Sequence, residues 1–459
     1  MRPDQVTILV IVAAAIALLV WKRRDAAAVL RSYFRESTAP VNLAVFRIVV
    51  FGMLLYLQID YRAEWFARVP ESLRVMPKGW SPIWSIVPWN PGFVNAMQMI
   101  CIGACIASVL GFFTRTATII ATVTGLYVFG LQQLFGKLNH FHHLFWFAAL
   151  IAASPSGDAL SIDAWRRGTR AGPARCYALP LRITWLLLGM CYFFPGLWKL
   201  WLSGPEWFGG TNLKFLMHSV WYGDSGFRPI VRVDEHRWLL MLGGIGTLAF
   251  ELSFIFLVLF PRTRWIAVAM GLGFHTLTGL TLNIWFVGLT SCYVSFINWA
   301  PRATGEAIPH TRRPAFAVGA VLLFCNGVCG LLAVDSWPFA VYPTFAHAGS
   351  PQKLEIEVRY YDREGVLIEF DDAPVARRFH YSRWSHVKYR IARTQDERLV
   401  RGCVELLARE IPELDRAAAV QVDRVVVWTD PARLAENPRR RDTILRMQLD
   451  GRVAAAPAR

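Results

Sequence analysis

The stretch Leu181–Leu202, LRITWLLLGMCYFFPGLWKLWL, is long and apolar enough to cross a bilayer, yet it carries a lysine at position 199. About 20 apolar residues in a helix cross the ~30 Å of hydrocarbon in a membrane. A lysine at the centre of such a helix costs roughly 2.5–3.5 kcal/mol on insertion scales, so residues of this kind usually face a cavity, a partner or a substrate. Two more polar sites sit in apolar surroundings, Asn139-His140 and His275.

Working outward, the whole chain has the same character. Its 459 residues are 54% hydrophobic and 18% charged, which is too apolar for an ordinary soluble enzyme of this size. Mean hydropathy is +0.34. Nineteen Trp and thirty Phe suit aromatic belts at two membrane interfaces. The formal charge of +16 does not indicate nucleic acid, because much of the Arg lies in short loops between apolar runs. Such loops carry topology information and attract anionic lipid. Cys101/Cys105 and Cys325/Cys329 are spaced i, i+4 inside apolar runs, as small hydrophobes rather than a zinc framework.

Ten apolar runs are readable, at 6–21, 41–58, 93–112, 117–135, 141–154, 181–202, 238–260, 265–281, 284–300 and 314–334. The expected fold is an all-α polytopic membrane bundle of about 10 transmembrane helices with a small C-terminal extramembrane α+β domain. Residues 1–37 read as an N-terminal anchor helix and cytoplasmic linker, 38–334 as the transmembrane domain, and 335–459 as the extracytoplasmic domain. The first run precedes Lys22-Arg23-Arg24 with no small-residue cleavage site, which reads as an uncleaved anchor. With those cations in the cytoplasm, alternation puts Arg115, Arg166, Arg167, Arg170, Arg175, Arg262, Arg264, Arg302, Arg312 and Arg313 inside as well. The N-terminus and the tail then lie outside a cell (inner) membrane. In the tail, Leu354–Tyr361 and Val366–Phe370 flank the turn-like Asp362–Gly365 and predict a hairpin. Glu397–Ile411 has helical periodicity, Val420–Trp428 reads as a strand, and Pro438–Arg459 as a frayed end.

On this topology Asn139-His140, Lys199 and His275 all fall near the outer face, although Arg distribution alone fixed the orientation. Each has a plainer reading. Lys199 can snorkel to headgroups, Asn139 and His140 can satisfy loop backbone, and His275 can bond a neighbouring helix. Together they suggest a pocket. Burial favours a neutral amine, and a neutral lysine can take a proton from a weak acid such as a phenol, with Asn and His steadying charge nearby. The cluster His140, His142 and His143 invites comparison with di-iron oxidases. With only His275 and Glu251 to add, the ligands are too few, and no metal is expected.

Four segments then carry a family resemblance over 38–302: Asn139-His140 ahead of an apolar run ending Ser154–Ala164; Pro195-Gly196-Leu197-Trp198-Lys199-Leu200 followed by Gly204–Gly210; Phe250-Glu251-Leu252; and Phe274-His275 followed by Asn283 and Trp285–Gly288. In order and spacing these resemble the horizontally transferred transmembrane (HTTM) domain, a bacterial relative of vitamin K-dependent γ-glutamyl carboxylase. The resemblance implies Lys199 as base on a reduced quinone (vitamin K hydroquinone-like), with O2 and CO2 as co-substrates. It places Asn139 and His140 as catalytic partners and His275 on the pocket wall. Lys137, His143, Trp198 and Glu251 are expected around the same pocket, Trp198 standing where the carboxylase has the first of two adjacent lysines. The implied substrate is a secreted peptide or protein, or another carbon acid. The alternative is a non-enzymatic membrane factor for maturation or export of a secreted partner.

Overall fold

The computed structural model describes residues 3–449 apart from 78–80, 85, 137–140, 169–170, 224–226, 301–309, 335, 340–344 and 380. Among the described residues seven helices are long and apolar enough to cross a membrane: Pro3–Trp21, Pro91–Leu110, Thr114–Leu134, Arg175–Leu202, Arg237–Leu257, Arg264–Leu282 and Arg313–Leu331. Seven of the ten expected runs thus reach that length. The runs at 41–58, 141–154 and 284–300 fold as shorter apolar helices, Pro40–Tyr56, His142–Ala152 and Val287–Phe296.

The reason is burial rather than lipid contact. The 11 residues of His142–Ala152 reach only ~16 Å at 1.5 Å per residue, and all but Ala149 are buried. A short helix that is apolar all round belongs inside a protein. The run at 284–300 is likewise packed against Pro40–Tyr56, as a short helix Val287–Ser291 continued by a 3-10 helix Cys292–Phe296.

Arg175–Leu202 is the central helix, with 78% of its apolar window buried against 28–33% for Pro91–Leu110, Arg237–Leu257, Arg264–Leu282 and Arg313–Leu331. The outer helices show the bilayer large side chains such as Leu242, Phe256, Ile266, Phe316 and Phe324. Pro3–Trp21 buries none of its residues and lies at the periphery. It is tied to the bundle where Gln5 Nε2 donates to the Trp201 carbonyl.

The tail forms an antiparallel sheet of order β2-β1-β3-β4, with β1 Gln352–Tyr361, β2 Leu367–Ile368, β3 Ala419–Trp428 and β4 Arg440–Gln448. The hairpin turn forms because Asp362 Oδ1 accepts from the Glu364 and Val366 amides and Gly365 takes a φ of 78°. Helices Ala373–Phe379, Tyr381–Thr394 and Glu397–Glu410 complete the unit. The expected fraying from Pro438 is corrected: Arg440–Gln448 is an edge strand paired along β3. Main-chain hydrogen bonds hold it, so its polar sequence gives little sign of a strand.

This sheet unit docks on one end of the bundle. Arg383 Nη1 donates to Gln132 Oε1 at 2.6 Å, Arg390 Nη2 to the Leu73 carbonyl at 2.7 Å, and Ser203 Oγ to the Ala346 carbonyl at 2.6 Å. Gln132 lies in the last turn of Thr114–Leu134 and Ser203 directly follows Arg175–Leu202, so the docked end is also the end nearest Lys199.

Candidate functional site

Lys199 lies in the last turn of Arg175–Leu202, with its side chain 4% exposed. It does not snorkel. Its Nζ donates to Glu251 Oε1 on Arg237–Leu257 and sits 5.3 Å from the Trp207 ring centre. The two helices can approach closely because position 196 is glycine. A Cβ there would fall 2.9 Å from the Glu251 Cβ, closer than non-bonded carbons sit. One helical turn before Lys199, Pro195 cannot donate to the carbonyl of Cys191, and both residues line the cavity described next.

A cavity of about 110 Å³ lies against this pair. On a scale where ~10–15 Å³ holds one water, that is room for several. Lys199, Glu251, His275, His142 and His143 line it, with Trp207, Leu216, Phe274, Leu282 and Phe286 among its apolar walls. His275 is 4% exposed and is held by Tyr192, whose hydroxyl lies 2.8 Å from His275 Nε2 and 3.1 Å from the Tyr293 hydroxyl. Tyr293 reaches that position because residue 271 is glycine: a Cβ at 271 would overlap the Tyr293 hydroxyl at 1.8 Å. Two buried atoms, Glu251 Oε2 and His275 Nδ1, have no hydrogen-bond partner among the described residues. Buried polar atoms are nearly always paired, so two open ones on one apolar cavity mark where a polar ligand atom would bind.

The structure thus brings Lys199, Glu251, His275 and His143 to a single cavity. Trp198 is a correction: its indole Nε1 donates to the Gly330 carbonyl at 2.7 Å, on Arg313–Leu331, and it is not part of the cavity wall. Adjacent residues of a helix point about 100° apart, so a lysine that faces the cavity turns its neighbour away. Lys137, Asn139 and His140 lie outside the described residues. Sequence reasoning missed Tyr192 and Trp207. Tyr192 stands seven residues before Lys199, the spacing that returns to one helix face, and that signal was available. Trp207 follows the end of the helix and carries no periodic signal.

No curated protein and no solved structure matches this chain. The model of the HTTM domain matches residues 34–299, a segment that contains every residue of the cavity wall except Phe345, and the chain belongs to the HTTM domain family.

Proposed function

We propose that the cavity binds a planar hydroxylated ring of the reduced-quinone type, and that the Lys199–Glu251 pair takes a proton from it. The observation that carries this reading is the convergence of a buried amine, an open carboxylate oxygen and an open imidazole nitrogen on one apolar, aromatic cavity. Phe274, Phe286 and Trp207 fit a flat ring, while Glu251 Oε2 and His275 Nδ1 fit its hydroxyls. Glu251 changes the lysine's expected role. With the pair ionised, Glu251 Oε2 is the proton acceptor and Lys199 the counter-charge; with the proton on the carboxyl, Nζ is the acceptor. His275, steadied by Tyr192, orients the ring.

By family resemblance, the reduced quinone supplies with O2 the strong base needed to deprotonate a carbon acid, which CO2 then carboxylates. The carbon acid would be a glutamate-like side chain of a secreted peptide or protein. The pocket and the sheet unit would face outward from the cell membrane, with the unit beside the site to receive a peptide.

The test uses purified protein in detergent and 2-methyl-1,4-naphthohydroquinone kept reduced under argon. Binding should red-shift the ligand's absorption toward the phenolate and quench tryptophan fluorescence. Lys199→Met and Glu251→Gln should abolish the red shift. Full-strength shift in both variants would sink the reading.

A second reading rests on the same ion pair. It ties Arg175–Leu202 to Arg237–Leu257, as a purely structural clamp would in a maturation or export factor. A clamp alone gives no phenolate shift with the naphthohydroquinone, and Lys199→Arg further tells which atom takes the proton, because arginine keeps the charge and the pair but does not give up its proton. A clamp survives that substitution, whereas proton transfer through Nζ does not.

A further inference from the structure

At the end of the bundle away from Lys199, two arginines share one carboxylate. Arg264 Nη2 and Nη1 donate to Glu36 Oε1 and Oε2 at 2.8 and 3.1 Å, and Arg182 Nη2 donates to Glu36 Oε2. The cluster therefore holds one positive charge in excess. Every nitrogen of Arg264 is engaged, since its Nε also donates to the Val258 carbonyl at 3.0 Å. Arg182 is not. Its side chain is 8% exposed, yet Nε and Nη1 have no partner among the described residues. Those two nitrogens carry three of the five N–H donors of a guanidinium.

Arg182 lines a cavity of about 290 Å³ with Arg264, Asn42, Ser37 and Thr38. Trp185 forms its apolar floor. The Arg182 guanidinium lies 4.1 Å from the Trp185 ring centre, and the indole is fixed by its bond to Ser295 Oγ at 3.0 Å and by stacking on Phe296. Trp265 is also on the rim and is 60% exposed beside the first residue of a spanning-length helix. That is the level at which tryptophans meet lipid headgroups.

We propose that this cavity is a binding site for an anionic phosphate group, with Arg182 as its principal ligand. A guanidinium with open N–H donors suits phosphate oxygens, and the Ser37 and Thr38 hydroxyls add neutral donors on the wall. The site lies at the membrane boundary, so the phosphate can belong to an anionic phospholipid or to a soluble phosphate. Glu36 restrains affinity by offsetting one of the two arginines.

The test is native mass spectrometry of the delipidated full-length chain in detergent, titrated with phosphatidylglycerol or phosphatidylcholine, alongside thermal unfolding with inorganic phosphate. The wild type should bind phosphatidylglycerol at least tenfold more tightly than phosphatidylcholine. Arg182→Gln should remove that preference, and Glu36→Gln, which deletes the opposing charge, should increase it. Stabilisation by inorganic phosphate that Arg182→Gln abolishes, without any lipid preference, would assign the site to a soluble phosphate. Neither a lipid preference nor phosphate stabilisation in the wild type, or a preference unchanged in both variants, would overturn the proposal. The opposite signs expected for the two variants separate loss of binding from loss of fold.

Discussion

Lys199 and Glu251 are two charge-bearing groups in a setting that tolerates neither alone. Removing one partner of a buried pair typically costs 3–5 kcal/mol, whereas replacing both by apolar residues is often close to neutral. Lys199→Met and Glu251→Leu should therefore each lower the thermal midpoint strongly, and the double variant should recover much of the loss. Strictly additive losses would show that the two side chains do not interact in the folded protein. Tyr192 makes a second residue-scale case. Its hydroxyl is the partner of His275 Nε2. Tyr192→Phe should cost about 1–3 kcal/mol by leaving a buried polar atom unpaired. It should also weaken naphthohydroquinone binding while leaving the phenolate shift of the bound ligand in place, since Tyr192 positions and does not take the proton. An unchanged dissociation constant would remove Tyr192 from the site.

At the level of elements, the site depends on how closely Arg175–Leu202 approaches Arg237–Leu257. Gly196→Val puts two methyl groups where a Cβ already collides with Glu251. Overpacking of this kind usually costs 1–3 kcal/mol, and here it should also part Lys199 from Glu251. Loss of the phenolate shift together with a strongly lowered thermal midpoint is the expected pattern; a wild-type shift would mean that the helices can separate without harm to the site. The segment following Thr211–Gly223 offers a pH test. Burial alone would raise the Asp234 carboxyl, but hydrogen bonds from Arg232 and His218 outweigh it and hold the group down at about 2. A carboxyl depressed in the folded state stabilises above its ordinary value near 4 and loses that contribution as pH falls toward 2. The stability gap between wild type and Asp234→Asn should thus be full at pH 7 and shrink between pH 4 and 2; a gap constant across that range would exclude the ion pair as its source. Elements also show what a sequence can and cannot reveal. Spans such as 238–260 were legible because lipid demands length and apolarity together. His142–Ala152 looked like a span because burial in protein demands the same apolarity without the length. Arg440–Gln448 was illegible as a strand, because its place depends on the backbone edge of β3 rather than on its own side chains. Lys199 and His275 announced themselves by polarity within apolar runs. The pairing of Lys199 with Glu251 rests on a close helix approach, 52 residues apart in sequence, that no local pattern records.

Across the whole molecule the two ends of the bundle do different things. One carries the Lys199 cavity, Trp207 and the docked sheet unit. The other carries the Arg182–Glu36–Arg264 cluster, the carboxylate of Asp158 bonded by Tyr177 and His310, and Arg47 donating to the Ser156 and Leu160 carbonyls. This separation makes sidedness testable in one experiment. Glu364 in the hairpin turn and Arg166 in the helix Ile162–Arg167 are both exposed, one at each end. Glu364→Cys and Arg166→Cys can each be probed with a membrane-impermeant maleimide on intact cells, with the wild-type chain as the background for its own thiols. The structure requires the two sites to label from opposite sides. The arginine-rich loops beyond Lys22–Arg24 favour the Arg166 end as cytoplasmic, so position 364 should react in intact cells and position 166 only after lysis. Reactivity of both in intact cells would contradict the fold. The reverse order would keep the fold but turn the cavity inward, and a secreted peptide could then no longer be the substrate it receives.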